Sequence, residues 1–149
     1  MVNIVTGDIF KSDVNIIGHQ TNAQGAMGRG IALTIKQKYP EVNHEYIEYC
    51  KHFNKSTELL GHCQVVMYKE GKFIANIFGQ FQYGRCARQT NYTALRNGLI
   101  RLKEFAMQNN LTIGLPYLIG AGLAGGEIGT ILKILDEVFS DYDVTLYKL

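Results

Sequence analysis

Two stretches of this chain share one order: a short apolar run, a glycine-dense loop, then helical spacing. In the first, Val14-Asn15-Ile16-Ile17 leads into Gly-His-Gln-Thr-Asn-Ala-Gln-Gly-Ala-Met-Gly-Arg-Gly-Ile over residues 18–31, followed by helix-like sequence ending near Tyr39. In the second, residues 112–115 lead into Pro-Tyr-Leu-Ile-Gly-Ala-Gly-Leu-Ala-Gly-Gly-Glu over 116–127, then a helix. Such a junction aims the unpaired amides of a helix N-terminus at whatever lies above the strand end, and glycine leaves the backbone open to close approach. Two of them suit a ligand with more than one phosphate, one loop cradling each side of a diphosphate. Turn-making and capping alone would explain one such loop; the density of small residues in both favours a ligand.

Short β-branched or aromatic runs predict strands at 3–5, 14–18, 64–68, 73–78, 112–115 and 144–147, with Lys69-Glu70-Gly71-Lys72 turning a hairpin. Helical spacing appears in Ile31, Leu33 and Ile35; in Leu95, Leu99, Leu102, Phe105 and Ala106; and in Ile128, Ile131, Leu132, Leu135, Val138 and Phe139. A further helix over 42–53 starts after Pro40, which disfavours helical geometry at Tyr39 and so ends the preceding one. Strands interleaved with helices indicate an α/β protein, a three-layer α/β/α sandwich around a mixed sheet of about six strands.

With 149 residues and 46% hydrophobic content, the chain is expected to form one domain, residues 1–149. A formal net charge of +2 offers no strong field for nucleic acid or an anionic membrane, so a small local ligand is favoured. Phe78, Phe81 and Tyr83 are expected to pack a strand end and pocket rim rather than stack bases. The three cysteines form no CxxC pair, and the first residues carry no signal segment. Reduced thiols and a cytoplasmic location are therefore expected. Cys50, His52, His62 and Cys63 lack the usual knuckle spacing, so no metal is expected. Gly120, Gly122 and Gly125 formally match GxGxxG, yet a Rossmann unit needs further βα units and an acidic ribose-binding strand end. A Walker A motif is absent.

Val5-Thr6-Gly7-Asp8-Ile9, His19-Gln20-Thr21-Asn22-Ala23-Gln24-Gly25, Met27-Gly28-Arg29-Gly30-Ile31-Ala32 and Gly120-Ala121-Gly122-Leu123 occur in that order. Together they resemble the macrodomain family over residues 3–147, closest to its compact branch of ADP-ribose 1″-phosphate processing proteins and glutamate-linked ADP-ribosyl hydrolases. The resemblance implies that Asp8 accepts from the adenine amine, with Gly7 and the Ile9 amide beside it. It places Thr21, Asn22 and Ala23 at the distal ribose and Gly28, Gly30, Ile31 and Ala32 at the ribose and phosphate. Gly120, Ala121, Gly122, Leu123 and Ala124 would form the diphosphate loop on the other side.

The glutamate-hydrolase branch carries a lysine just after the strand matching Asn76-Ile77-Phe78 and an aspartate after the segment matching Leu123. This chain has Gly79-Gln80-Phe81 and Ala124. Neither glutamine nor phenylalanine forms a Schiff base, so that mechanism does not transfer. The remaining catalytic candidates are Glu127 and His19, with Asn22 and Gln80 orienting a water or the ribose hydroxyls. Arg85 and Arg88 would bring charge to a phosphate, solvated surface positions being their ordinary alternative. The expectation is thus an ADP-ribose-binding hydrolase without cofactor, monomeric, acting on ADP-ribose 1″-phosphate or an ADP-ribosyl ester, with an ADP-ribosylated protein as a further partner. A non-catalytic ADP-ribose reader is the rival.

Overall fold

The computed structural model describes residues 1–28, 30–80, 90–121 and 124–149, with Ser56 described only in its backbone. Its strands are β1 (Val2–Thr6), β2 (Ile16–Thr21), β3 (Cys63–Lys69), β4 (Lys72–Phe78), β5 (Ile113–Pro116) and β6 (Val144–Lys148). The helices are α1 (Gly30–Lys38), α2 (Pro40–Lys51), α3 (Tyr92–Asn109) and α4 (Ile128–Val138). One sheet of order β1-β6-β5-β2-β4-β3 results. Neighbours pair in parallel except the hairpin β3–β4, which turns through Gly71 at φ 73°.

Parallel central strands must be apolar on both faces, since crossover helices cover each side. β2 and β4 fit that rule, being buried along nearly their whole length. On one face Ile16, Ala75, Ile77, Leu115 and Leu146 meet Leu95, Leu99 and Leu102 of α3 and Ile131 and Leu135 of α4. On the other, Ile17 and Ile74 meet Ile35 and Val42, and Phe78 meets Tyr46. The two helix layers follow from handedness: the connections β4-α3-β5 and β5-α4-β6 step one way across the sheet, and the path from β2 through α1 and α2 steps the other way.

One boundary differs from the sequence expectation in a way that matters. The sequence pattern ends β2 at Gly18, but the strand continues through His19, Gln20 and Thr21. Gly18 is therefore a core position, where a β-carbon would lie 2.6 Å from Leu115 Cδ2. Polar residues mark a loop only when water satisfies them; here His19 bonds Asn76 of β4, and Gln20 bonds Gln80 and Thr90. The loop begins at Asn22.

Candidate functional site

β1, β2, β4, β5 and β6 run in parallel, so the loops that follow them gather at one edge of the sheet. Between β2 and β5 the chain's direction of travel across the sheet reverses, and a crevice opens at such a switch point. The loops after β2 and β5 flank it.

The β2 loop is braced from within. Asn22 Oδ1 accepts from the Gln24 amide at 2.9 Å and the Ala26 amide at 3.3 Å, while its Nδ2 donates to the Ala26 carbonyl at 2.7 Å. The Tyr46 hydroxyl donates to the Asn22 carbonyl at 2.6 Å and lies 2.9 Å from Oδ1. Burial pushes the Tyr46 pKa up, so this donor stays protonated. The resemblance turns Asn22 toward the distal ribose. The structure instead commits most of its amide to shaping its own loop, a consequence of its 6% exposure against Tyr46. Ala23 is buried and Ala32 packs beside it, while Ile31 packs on Ile17 and Ile35, so each has only backbone to offer a ligand. Gly28 is exposed, and a β-carbon there would meet nothing within 4 Å among the described residues. Its conformation is not left-handed either. Packing thus gives no reason for glycine at 28, whereas clearance for a ligand does. Gly7 has the same open surroundings, and Gly30, at φ 57°, opens α1.

The β5 loop is closed on itself. Gly120, at φ 73°, has its carbonyl taken by the Gly126 amide at 2.9 Å and the Thr90 hydroxyl at 2.6 Å. A β-carbon on Gly126 would sit 2.2 Å from that carbonyl oxygen. Ala121 is buried, and the Ala124 carbonyl accepts from the Thr90 amide at 3.3 Å. Glu127 is exposed at the N-cap of α4, its amide donating to the Tyr92 hydroxyl at 3.0 Å and its carboxylate making no capping bond. Gln80 pairs with Thr90 across a single bridge and accepts from Gln20 Nε2 at 2.8 Å. Gly122, Leu123, Arg29, Arg85 and Arg88 lie outside the described residues.

Asp8 caps the turn Ile9–Lys11, one carboxylate oxygen accepting from the Phe10 amide at 2.9 Å. Ile9 is buried against the α1 side. The Gly7 amide donates to the Lys148 carbonyl, and the Tyr117 amide to the Tyr147 carbonyl, which ties this turn to the start of the β5 loop.

His19 does not stand in the cleft. It is fully buried, its Nε2 is 2.7 Å from Asn76 Oδ1, and Asn76 Nδ2 donates to Gln64 Oε1 at 3.1 Å. Because Asn76 uses its amide nitrogen on Gln64, its oxygen accepts, which assigns the proton of His19 to Nε2. Burial lowers its pKa to about 4, with the Asn76 bond opposing that shift. In this structure the imidazole is neutral and enclosed between β2 and β4. Thr21 is likewise buried, its hydroxyl without a partner among the described residues.

Sequence reasoning missed Gln20, Thr90 and Tyr46 as parts of this site. Only Gln20 left a trace: a long polar side chain that the β2 alternation turns to the same face as Ile16 and Gly18. Burial pushes the Cys63 thiol up to about 12, and His62 Nδ1 is held by the Tyr49 hydroxyl at 2.9 Å. Among the described residues no three His, Cys, Asp or Glu side chains are grouped to hold a metal.

Comparison with known proteins agrees with this arrangement. The Macro domain family model matches residues 19–135. The ADP-ribose 1″-phosphate phosphatase of Candida glabrata is 30% identical, over 99% of this chain and 78% of its own. The enzyme of the same name from Saccharomyces cerevisiae is 27% identical over 99% and 98%. The macrodomain of Mycobacterium tuberculosis DarG superposes with a TM-score of 0.84 at 25% identity, covering 100% of this chain and 98% of that one. With a family match across most of its length, a relative at this identity and a sheet of the same design, the chain belongs to the Macro domain family.

Proposed function

We propose that the crevice between β2 and β5 binds ADP-ribose and that the protein hydrolyses ADP-ribose 1″-phosphate to ADP-ribose and inorganic phosphate. The observation that carries the reading is Gly28, where a β-carbon would meet nothing within 4 Å among the described residues, together with the turn after β5 that the Gly126 amide closes on the Gly120 carbonyl. The diphosphate would lie between the α1 N-terminus and the Gly120 loop, where amides and helix dipoles favour negative charge. The second carboxylate oxygen of Asp8 would receive the adenine amine, and Gln80 would line the distal end. The named activity of the full-length relatives supports the substrate.

In the reaction, water oxygen bonds to phosphorus, the bond from phosphorus to the ribose oxygen breaks, and the leaving oxygen takes up a proton. Glu127, exposed at the end of the Gly120 loop, would be the carboxylate that accepts the water proton. Gly79, Gln80 and Ala124 supply no nucleophile for attack at the ribose carbon, which favours the phosphatase over an ADP-ribosyl ester hydrolase. A non-catalytic reader remains the second reading, favoured by that same Ala124.

Calorimetry with ADP-ribose tests the binding, and phosphate release from ADP-ribose 1″-phosphate tests the reaction. Heat without phosphate release would establish the reader; no heat from folded protein would reject both. Glu127→Gln is expected to lower kcat by about 100-fold with little change in KM. Full turnover in that variant would remove Glu127 from the mechanism.

A further inference from the structure

Gln20 occupies a place that neither binding nor catalysis accounts for. It stands at the C-terminal end of β2 on the α3 side, beneath the crevice. Its Nε2 donates to Gln80 Oε1 at 2.8 Å and to Thr90 Oγ1 at 2.8 Å, and Thr90 passes its own proton to the Gly120 carbonyl at 2.6 Å. One side-chain amide thus joins β2, the end of β4, the start of α3 and the loop after β5. The fit is close. The Gln20 Oε1 atom lies 2.3 Å from where a β-carbon of Gly79 would be and 3.2 Å from that of Gly120. That oxygen is buried without a partner among the described residues. An amide packed against two glycines and bonded in two directions cannot shift without moving what it holds.

We propose that Gln20 is a positioning residue: acting through Thr90, it sets the height of the Gly120 carbonyl and so the shape of the loop that receives the diphosphate. The direction of the hydrogen bonds gives the reason. The Gly120 carbonyl anchors the loop, because the Gly126 amide closes the turn on the same oxygen. The Thr90 hydroxyl donates to that carbonyl while accepting from Gln20 Nε2, and the second bond holds the hydroxyl in the orientation that aims its proton at Gly120. Removing the Gln20 amide frees the Thr90 hydroxyl to rotate and leaves the Gly120 carbonyl held by the Gly126 amide alone. Gln80 loses its partner on β2 in the same step.

This inference rests on the proposed diphosphate site, and its test separates the two. The affinity for ADP-ribose is measured by calorimetry for the wild type and for Gln20→Leu, Thr90→Val, Thr90→Ser and the double substitution Q20L/T90V, each well below its melting temperature. No binding by the wild type rejects the site itself. With wild-type binding present, Q20L and T90V are each expected to weaken it about tenfold, and the double variant no more than either alone, since both break one path. T90S, which keeps the hydroxyl, is expected to bind within about twofold of wild type. A purely structural role would lower melting temperatures and leave the affinity of the folded protein unchanged. Unchanged affinity in T90V, or additive losses in the double variant, overturns the proposal. T90V keeps the branched shape of the side chain while removing the hydroxyl, and with T90S as its control it carries the test should Q20L not fold.

Discussion

At the scale of single residues, the glycines of the crevice divide by what a β-carbon would meet. Gly126 is held by its fold: Gly126→Ala drives a methyl into the Gly120 carbonyl and Ile131 Cδ1, at 2.2 and 2.8 Å. Overpacking of this kind costs about 1–3 kcal/mol, which urea unfolding will read. Gly28→Ala meets nothing among the described residues, so its stability should stay within about 0.5 kcal/mol of wild type while ADP-ribose binding weakens. Unaltered binding in Gly28→Ala would take away the main support for the ligand site. His19 makes a second prediction. Its folded pKa of about 4 lies below the ordinary 6.5, so below pH 6.5 the unfolded chain takes up a proton that the folded one refuses. The contribution of His19 is complete above pH 6.5 and is lost as pH falls toward 4, by about 3 kcal/mol at most. Unfolding measured at pH 7 and pH 5 should show a smaller acid loss in His19→Gln than in wild type.

At the scale of elements, the helices around the crevice differ in how their ends are satisfied. Asn91 caps α3, its side chain accepting from the Ala94 amide at 2.9 Å, and its own amide donates to the Gly79 carbonyl at 2.7 Å. Asn91→Ala should cost about 1 kcal/mol in denaturant unfolding, because one orphan amide loses its acceptor. Asn91→Ser should recover most of it, as serine caps comparably. α4 has no such side-chain cap, Glu127 lying exposed at its N-cap position. α2 begins at Pro40, two residues before the start expected at 42: Tyr39 takes φ −132°, out of the helical region, and the ring sits where no amide proton is needed. Element positions were legible because each rests on local periodicity. The end of β2 was not, since it is the backbone pairing of residues 19–21 with Asn76, Ile77 and Phe78 of β4, distant in sequence, that extends the strand, while Asn76, Gln80 and Thr90 satisfy its polar side chains.

At the scale of the molecule, the sheet order explains why loops from opposite ends of the chain meet. β2 is flanked by β5 and β4, so the segments after residues 21 and 116 open on adjacent sites though nearly a hundred positions separate them. A ligand that binds both loops binds only the folded state, and ADP-ribose at about 100 times its Kd should raise unfolding free energy by about 2.7 kcal/mol. A melting temperature unmoved by ADP-ribose would contradict the proposed site. The sequence by itself determined the alternation of strands and helices, the two glycine-rich junctions and the resemblance carried by their motifs, because periodicity and glycine content are local properties. The resemblance also implies that Gln80 and Ala124 stand where a related branch carries lysine and aspartate. Only the tertiary structure decided which polar residues are enclosed by partners and which stay exposed. His19 and Asn22 look alike in sequence as polar groups beside a strand end, yet one is enclosed with Asn76 and the other folds back on its own loop. Whether a polar side chain is available is set by partners brought from far along the chain, and that pairing exists only once the sheet has formed.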